Sequence, residues 1–219
     1  AIWLLLFGRL PNRQQLEAFM EILAAQRDLP PYFLEDMLLK VPSRNLMNML
    51  ARSVLELYAY DPNPDANGFE DLMRQSISLI ARMPVIMVAA YQVKRRAFDK
   101  ESMYVHDPRS DYSIAENILH SLRPDKQFTH EEARLLDMCL VLHAEHGGGN
   151  NSAFASRVVS SSGSDTYSAI AAAVGSLKGP RHGGANAKVM EMLGYIEEGV
   201  QNPHSDTEIR DFLVTLIRG

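Results

Sequence analysis

Residues 143–190 concentrate side chains that can do acid–base and anion-binding work: His143, His146 and His182, the amides Asn150 and Asn186, and two glycine-rich runs. His143 and His146 are three apart at what reads as a helix end, so their imidazoles are expected on roughly one face. Gly147-Gly148-Gly149 then lets the backbone turn sharply. Imidazoles presented this way can grip an anion. Two close histidines and Glu145 are also potential metal ligands, but Glu145 points elsewhere on a helix and no third ligand has metal-site spacing, so no metal is expected. The Gly147–Asn151 turn lacks the preceding strand and the Gly-Lys-Ser/Thr ending of a phosphate loop. The plainer alternative is that the glycines end a helix and the histidines are satisfied core groups.

The second turn, Lys178-Gly179-Pro180-Arg181-His182-Gly183-Gly184-Ala185-Asn186, places a histidine just before a new helix. Helix N-terminal amides disfavour the protonated imidazole and favour a neutral ring that donates a hydrogen bond, a group able to stabilise an enol. The alternative is an ordinary Gly/Pro loop carrying an exposed histidine.

These groups must be positioned by helices, because apolar residues recur at three- and four-residue intervals almost throughout, as in Leu16, Phe19, Met20, Leu23 and in Leu46, Met49, Leu50, Val54, Leu57. No convincing strand is found, and the expected class is all-α. Turn signals at Gly8-Arg9-Leu10-Pro11, Leu29-Pro30-Pro31, Asp61-Pro62-Asn63-Pro64, Gly68 and Arg123-Pro124-Asp125 separate the helices. Thr129 with Glu132 has the capping-box form and should open a helix running to about His143. The small residues of Ala169–Val174 suit close helix contact, within a core or between two copies. With 219 residues, 46% of them hydrophobic and 22% charged, the chain can bury one sizeable core. A net charge of -5 gives no reason to expect nucleic acid, and Lys94-Arg95-Arg96 is too short for a phosphate-tracking stripe. Ala1–Phe7 is too short for a membrane span and lacks a basic flank, so neither a membrane association nor a signal peptide is expected. The single Cys139 excludes an internal disulfide and agrees with a reducing, cytoplasmic setting. The chain opens without Met and ends abruptly after a helical pattern, so both ends are expected to be cut.

Taken together, Leu142-His143-Ala144-Glu145-His146, Asn150-Asn151-Ser152-Ala153, Gly163 and Gly179-Pro180-Arg181-His182-Gly183-Gly184-Ala185-Asn186 closely resemble citrate synthase. Leu5–Pro11 and Ala115-Glu116-Asn117-Ile118-Leu119 extend the resemblance upstream, over nearly the whole chain. The resemblance implies a multi-helix, two-domain homodimer that condenses acetyl-CoA with oxaloacetate to citrate and CoA, with no metal or prosthetic group and acetyl-CoA as a substrate. Residues 1–182 are then expected to be the large helical domain, and 183–219 the first helices of the small domain, over 187–199 and 206–216. The family likeness makes His146 the oxaloacetate-binding histidine, with Asn150 in the same turn and His143 beside it. It makes His182 the catalytic histidine that hydrogen-bonds the thioester carbonyl as the methyl becomes an enol.

The family's carboxylate base and its Gly-x-Gly-His histidine are expected downstream of the His182 helix, and no such motif occurs in 183–219. Asp206 and Asp211 are therefore read as helix-start and surface charges, and the chain by itself is expected to be inactive. Glu145, Gly147, Arg181 and the stretch Ser43-Arg44-Asn45-Leu46-Met47 depart from the family pattern. Arg181 is an added cation for a substrate carboxylate or CoA phosphate, or an outward-pointing charge. Two other readings remain open: 2-methylcitrate synthase, and a non-catalytic helical dimerisation or regulatory module of the same descent.

Overall fold

The computed structural model describes residues 1–145 and 147–218, among which there are eleven α-helices and no strand. The helices are α1 (Ile2–Phe7), α2 (Arg13–Ala25), α3 (Leu46–Glu56), α4 (Phe69–Lys94), α5 (Ile114–Leu122), α6 (His130–His143), α7 (Asn151–Ser161), α8 (Thr166–Leu177), α9 (Pro180–Gly183), α10 (Ala185–Gly199) and α11 (Asp206–Arg218). This is the all-α architecture that the helical periodicity implies. Packing divides the chain into Ala1–Gly175 and Ser176–Gly219. The sequence reading draws its boundary at 182/183, so by packing His182 belongs to the C-terminal unit.

Helix starts follow local chemistry. Asn12, Ser113 and Thr129 each accept from the amide three residues on, while Gln15, Glu116 and Glu132 reach back to the cap amide. Each such cap contributes about 1 kcal/mol. At α6 the cap is reinforced: Arg123 Nη2 donates to Glu132 Oε1 at 2.6 Å. The Arg123 hydrogen bond, with those from Thr129, holds the Glu132 carboxyl down at about 2. Gly8 ends α1 in the left-handed region, at φ 70°, which a residue with a Cβ adopts poorly.

In the N-terminal unit α4 is the central element. The segment Phe69–Asp99 is long and apolar enough by composition to cross a membrane. Here it is the core helix instead, packed by α2, α3 and α5, with Leu79, Ala81, Ile86, Val88, Ala90 and Val93 buried. Leu79 and Ile86 join Phe33, Val54, Leu57 and Tyr167 in one cluster, and Ala90 and Val93 join Leu38 and Met49 in another. Two fully enclosed glutamines give up their amides to the main chain, as buried polar groups must. Gln92 Nε2 donates to Leu122 O at 2.9 Å at the end of α5. Gln75 Nε2 donates to Pro64 O at 3.1 Å, and its Oε1 accepts from the Thr166 hydroxyl at the start of α8. The Ala-rich α8 lies against this core, with Ala169 and Val174 buried and Ile170 and Ala171 packed on the first cluster.

A second polar tie joins α8 to α4. Tyr167 Oη donates to Asp61 Oδ2 at 2.6 Å, and Arg74 Nη1 donates to the same oxygen at 2.9 Å. The Asp61 side chain is only 2% exposed. Burial alone would raise its pKa, but hydrogen bonds from Arg74 and Tyr167 more than offset this and hold it below the ordinary value. A depressed folded-state pKa contributes stability that is present above the unfolded value of about 3.9 and is lost as pH falls through the folded value. Asp61→Asn should therefore lower stability at pH 7 and flatten the loss of stability below about pH 4. Tyr167→Phe should cost about 1 kcal/mol. Urea titrations of the three proteins between pH 3 and 7 check both expectations, and an acid limb unchanged by Asp61→Asn counts against them.

Candidate active site

In the N-terminal unit the candidate site is the junction between α6 and α7. Helix α6 stops at His143, with Ala144 as its C-cap. The expectation that His143 and His146 share a helix face falls on His146, which lies outside the described residues. His143 is exposed, and its Nδ1 lies 2.7 Å from Cys139 O one turn back. A carbonyl only accepts, so Nδ1 carries the proton there and Nε2 is the nitrogen left for a ligand.

The turn after α6 requires glycine at position 147, where φ is +100°. Its amide donates to Glu145 Oε1 at 2.5 Å. Asn150 closes the turn as the N-cap of α7: its Oδ1 accepts from Ala153 N at 2.8 Å, and its Nδ2 donates to Gly147 O at 3.1 Å. Among the described residues one N–H and one lone pair of that amide have no partner. Asn150, half-buried, thus builds the turn. Helix α7 is tied to α8 by Ser152 Oγ, which donates to Ala173 O at 3.0 Å.

Arg157 was not singled out from sequence. It lies seven residues after Asn150, hence on the same face of α7, and its guanidinium rests against Gly148, where an added Cβ would come within 2.9 Å of Nη2. No ion pair engages Arg157 among the described residues, and it is exposed. A cation with no ion pair among the described residues therefore borders the turn that carries Asn150. The i, i+7 spacing was the available signal.

In the C-terminal unit His182 sits on α9, a single helical turn. Gly179 is its N-cap and Pro180 its first residue, a position where the missing N–H is not needed. The amides of His182 and Gly183 both donate to Gly179 O, at 3.0 and 2.9 Å. The expected Gly/Pro turn is thus helical. The two glycines after His182 are required by close approach: a Cβ on Gly183 would lie 1.9 Å from Leu177 O, and one on Gly184 would lie 2.3 Å from Pro180 O. His182 is half-buried and Arg181 exposed, and Gly184 directly precedes α10. Asp206 and Asp211 are both exposed on α11, with Asp206 in the first turn, where a negative charge complements the helix dipole. Among the described residues no group of three or more His, Cys, Asp or Glu could hold a metal ion.

A family model described as "Citrate synthase, C-terminal domain" matches residues 1–218. The chain is 38% identical over 209 residues to the citrate synthase of Haloferax volcanii, which covers 92% of this chain and 52% of that protein. It is 33% identical over 202 residues to 2-methylcitrate synthase 1 of Corynebacterium glutamicum, covering 90% and 51%. Among solved structures, the citrate synthase of Pyrobaculum aerophilum matches with a TM-score of 0.76 at 32% identity, covering 90% of this chain and 49% of that one. The chain spans about half the length of the curated relatives it matches.

The glycine constraint around His182 yields a direct expectation. Gly183→Ala drives a side chain into the Leu177 carbonyl and should unseat α9, raising hydrogen exchange at the His182 and Gly183 amides about tenfold or more. Gly149→Ala, with nothing within 4 Å of the added Cβ, is the control and should leave exchange there unchanged. Equal exchange in both variants contradicts the assignment.

Proposed function

The chain belongs to the citrate synthase family, and from that premise we propose that, within a full-length enzyme, it serves the condensation of acetyl-CoA with oxaloacetate to citrate and free CoA. The observation that carries this reading is the run Gly179–Asn186, with His182 held on a helical turn whose neighbouring glycines admit no side chain. A thioester methyl is a weak carbon acid, so its enolate must meet a hydrogen-bond donor already in place while a carboxylate removes the proton. His182 is that donor, through a ring N–H to the thioester oxygen. The enol carbon then attacks the ketone of oxaloacetate, and hydrolysis of the thioester releases CoA.

Oxaloacetate presents two carboxylates and a ketone. His146, the second N–H of Asn150 and His143, donating from Nε2 as the doubly protonated ring, are its proposed partners on the α6–α7 turn. What supports an anion there is the Arg157 guanidinium against Gly148, which makes no ion pair among the described residues. Arg181, exposed next to His182, is the cation we propose for a carboxylate or a CoA phosphate. The chain contains no Gly-x-Gly-His motif, and we assign the base and the second histidine to sequence outside these residues. No metal or prosthetic group takes part in this scheme. The enzyme is proposed to be a cytoplasmic homodimer. Exposed apolar residues on α6, with Leu135 at 59% and Leu142 at 76%, supply a face that a second copy can cover.

The relative from Corynebacterium glutamicum gives a specific reason to keep propionyl-CoA, and hence 2-methylcitrate, as a second reading. Release of CoA thiol by the full-length protein discriminates. Oxaloacetate-dependent release that is faster from acetyl-CoA than from propionyl-CoA is expected, and the reverse order selects the second reading. The isolated 219-residue chain should release no thiol from either thioester. Release by the chain alone contradicts the proposed division of the site, and no release by the full-length protein favours a non-catalytic module.

A further inference from the structure

Between the π-helical segment Arg95–Asp99 and α5, residues 101–112 run across the N-terminal unit without helix or strand. Polar ties hold them down. Tyr104 N donates to Gln92 Oε1 of α4 at 3.4 Å, and Arg109 N donates to Asn117 Oδ1 of α5 at 2.7 Å. Asn117 Nδ2 donates in return to Arg109 O and Tyr112 O, at 3.0 and 3.1 Å. A chain of rings runs between these ties. Tyr104 stacks on His106 with centroids 6.4 Å apart, His106 lies 6.0 Å from His120 of α5, and Tyr112 stands edge-on to His120 at 5.5 Å.

Neither histidine has a place for a second proton. An imidazolium donates from both nitrogens and needs two acceptors, whereas the neutral ring donates from one. His120 is only 8% exposed, and its Nδ1 is shut off from water with no hydrogen-bond partner among the described residues. The same holds for His106 Nε2. As the bare nitrogen of a neutral ring such an atom costs less than as the N–H of a buried cation with nothing to accept it. Charging both rings would also set two cations side by side. The surroundings add to this. The His120 pKa is lowered first by burial and then by Lys126, in the turn after α5, by His106 and by Arg109, and a main-chain hydrogen bond at Lys126 does not outweigh them. Asp111 attracts a charged His120, but it is exposed and already holds Arg109 at 3.0 and 2.8 Å. Of the other carboxylates near α5, Glu116 accepts from the Ser113 amide and Glu132 of α6 pairs with Arg123. From α4 the neighbouring polar group is the neutral Gln92.

We propose that the His106–His120 pair is an acid-sensitive clasp: neutral, the two rings pack and hold segment 104–112 on α5, and protonated, they part and release it. In the open state the rings lie in water and take up protons below the ordinary imidazole value of about 6.5, while the closed state resists them. The clasp is therefore at full strength above about pH 6.5 and weakens as pH falls through that value toward the lower folded one. It draws on neither His182 nor the α6–α7 turn, so it stands or falls independently of the acyl chemistry.

The test is hydrogen exchange of the full-length protein at about pH 7.5 and about pH 5.5, on either side of the ordinary imidazole value, corrected for intrinsic exchange and read by mass spectrometry in peptides covering 103–113. Opening of that segment should rise between about three- and tenfold at the lower pH, tenfold being the ceiling for one histidine that charges only when open. Peptides from α4 should not share the rise. His120→Gln, which cannot charge, should abolish the pH response whatever its basal opening. His106→Gln tests the pair where His120→Gln fails to fold, and should at least halve the response. A native protein without the response, a rise shared equally by α4, or a response kept in full by the folded variants overturns the proposal.

Discussion

The enclosure of α4 governs the N-terminal unit. A helix buried this thoroughly cannot leave polar groups unpaired, so the amides of Gln75 and Gln92 must find partners at fixed positions. Those partners are the loop after Asp61, the start of α8, the end of α5 and the segment near Tyr104. The same enclosure draws Tyr167 into the core and onto Asp61. Helix α8 is thereby pinned at its first turn by two polar ties and along its length by the apolar cluster. Through Ser152 it carries α7, and α7 begins at Asn150, which builds the candidate substrate turn. The path from the core helix to the site therefore runs through named hydrogen bonds, each with a buried or half-buried partner.

On the C-terminal side the controlling constraint is steric. His182 is presented by a four-residue helix, far too short to be stable by itself. It holds because Gly179 accepts two of its amides and because Gly183 and Gly184 let the backbone approach Leu177 and Pro180 more closely than any side chain allows. The catalytic histidine proposed here is therefore positioned by backbone. Its role as a hydrogen-bond donor to a developing enolate needs this kind of fixed placement, since electrostatic stabilisation of a transition state depends on donors that do not reorganise during reaction.

Much of this was legible in the residues themselves. The cap at Thr129, the left-handed Gly8, the all-helical periodicity and the close-packing alanines of α8 are all local signals, and each appears where the local chemistry places it. The motif stretches pointed to the family. The sequence expected the helix to run to about His143, and α6 does end there, although periodicity alone says little about where a final turn frays. The π-helical segments Leu34–Leu39 and Arg95–Asp99 were also hidden, since a wider turn leaves no distinct mark in a three-and-four pattern. Arg157 beside Gly148 and Tyr167 on Asp61 bring together residues distant in sequence or on different elements. Such contacts are set by tertiary packing, which a single sequence does not display.

The central claim is that His182 donates the hydrogen bond that lets the thioester methyl ionise. The most direct measurement is exchange of acetyl-CoA methyl protons with deuterated solvent by the full-length enzyme, comparing native protein with His182→Gln. The account predicts that the substitution suppresses exchange by about a hundredfold or more, the scale of one lost oxyanion donor, while oxaloacetate affinity is kept. Methyl exchange at the native rate in the His182→Gln enzyme would contradict it.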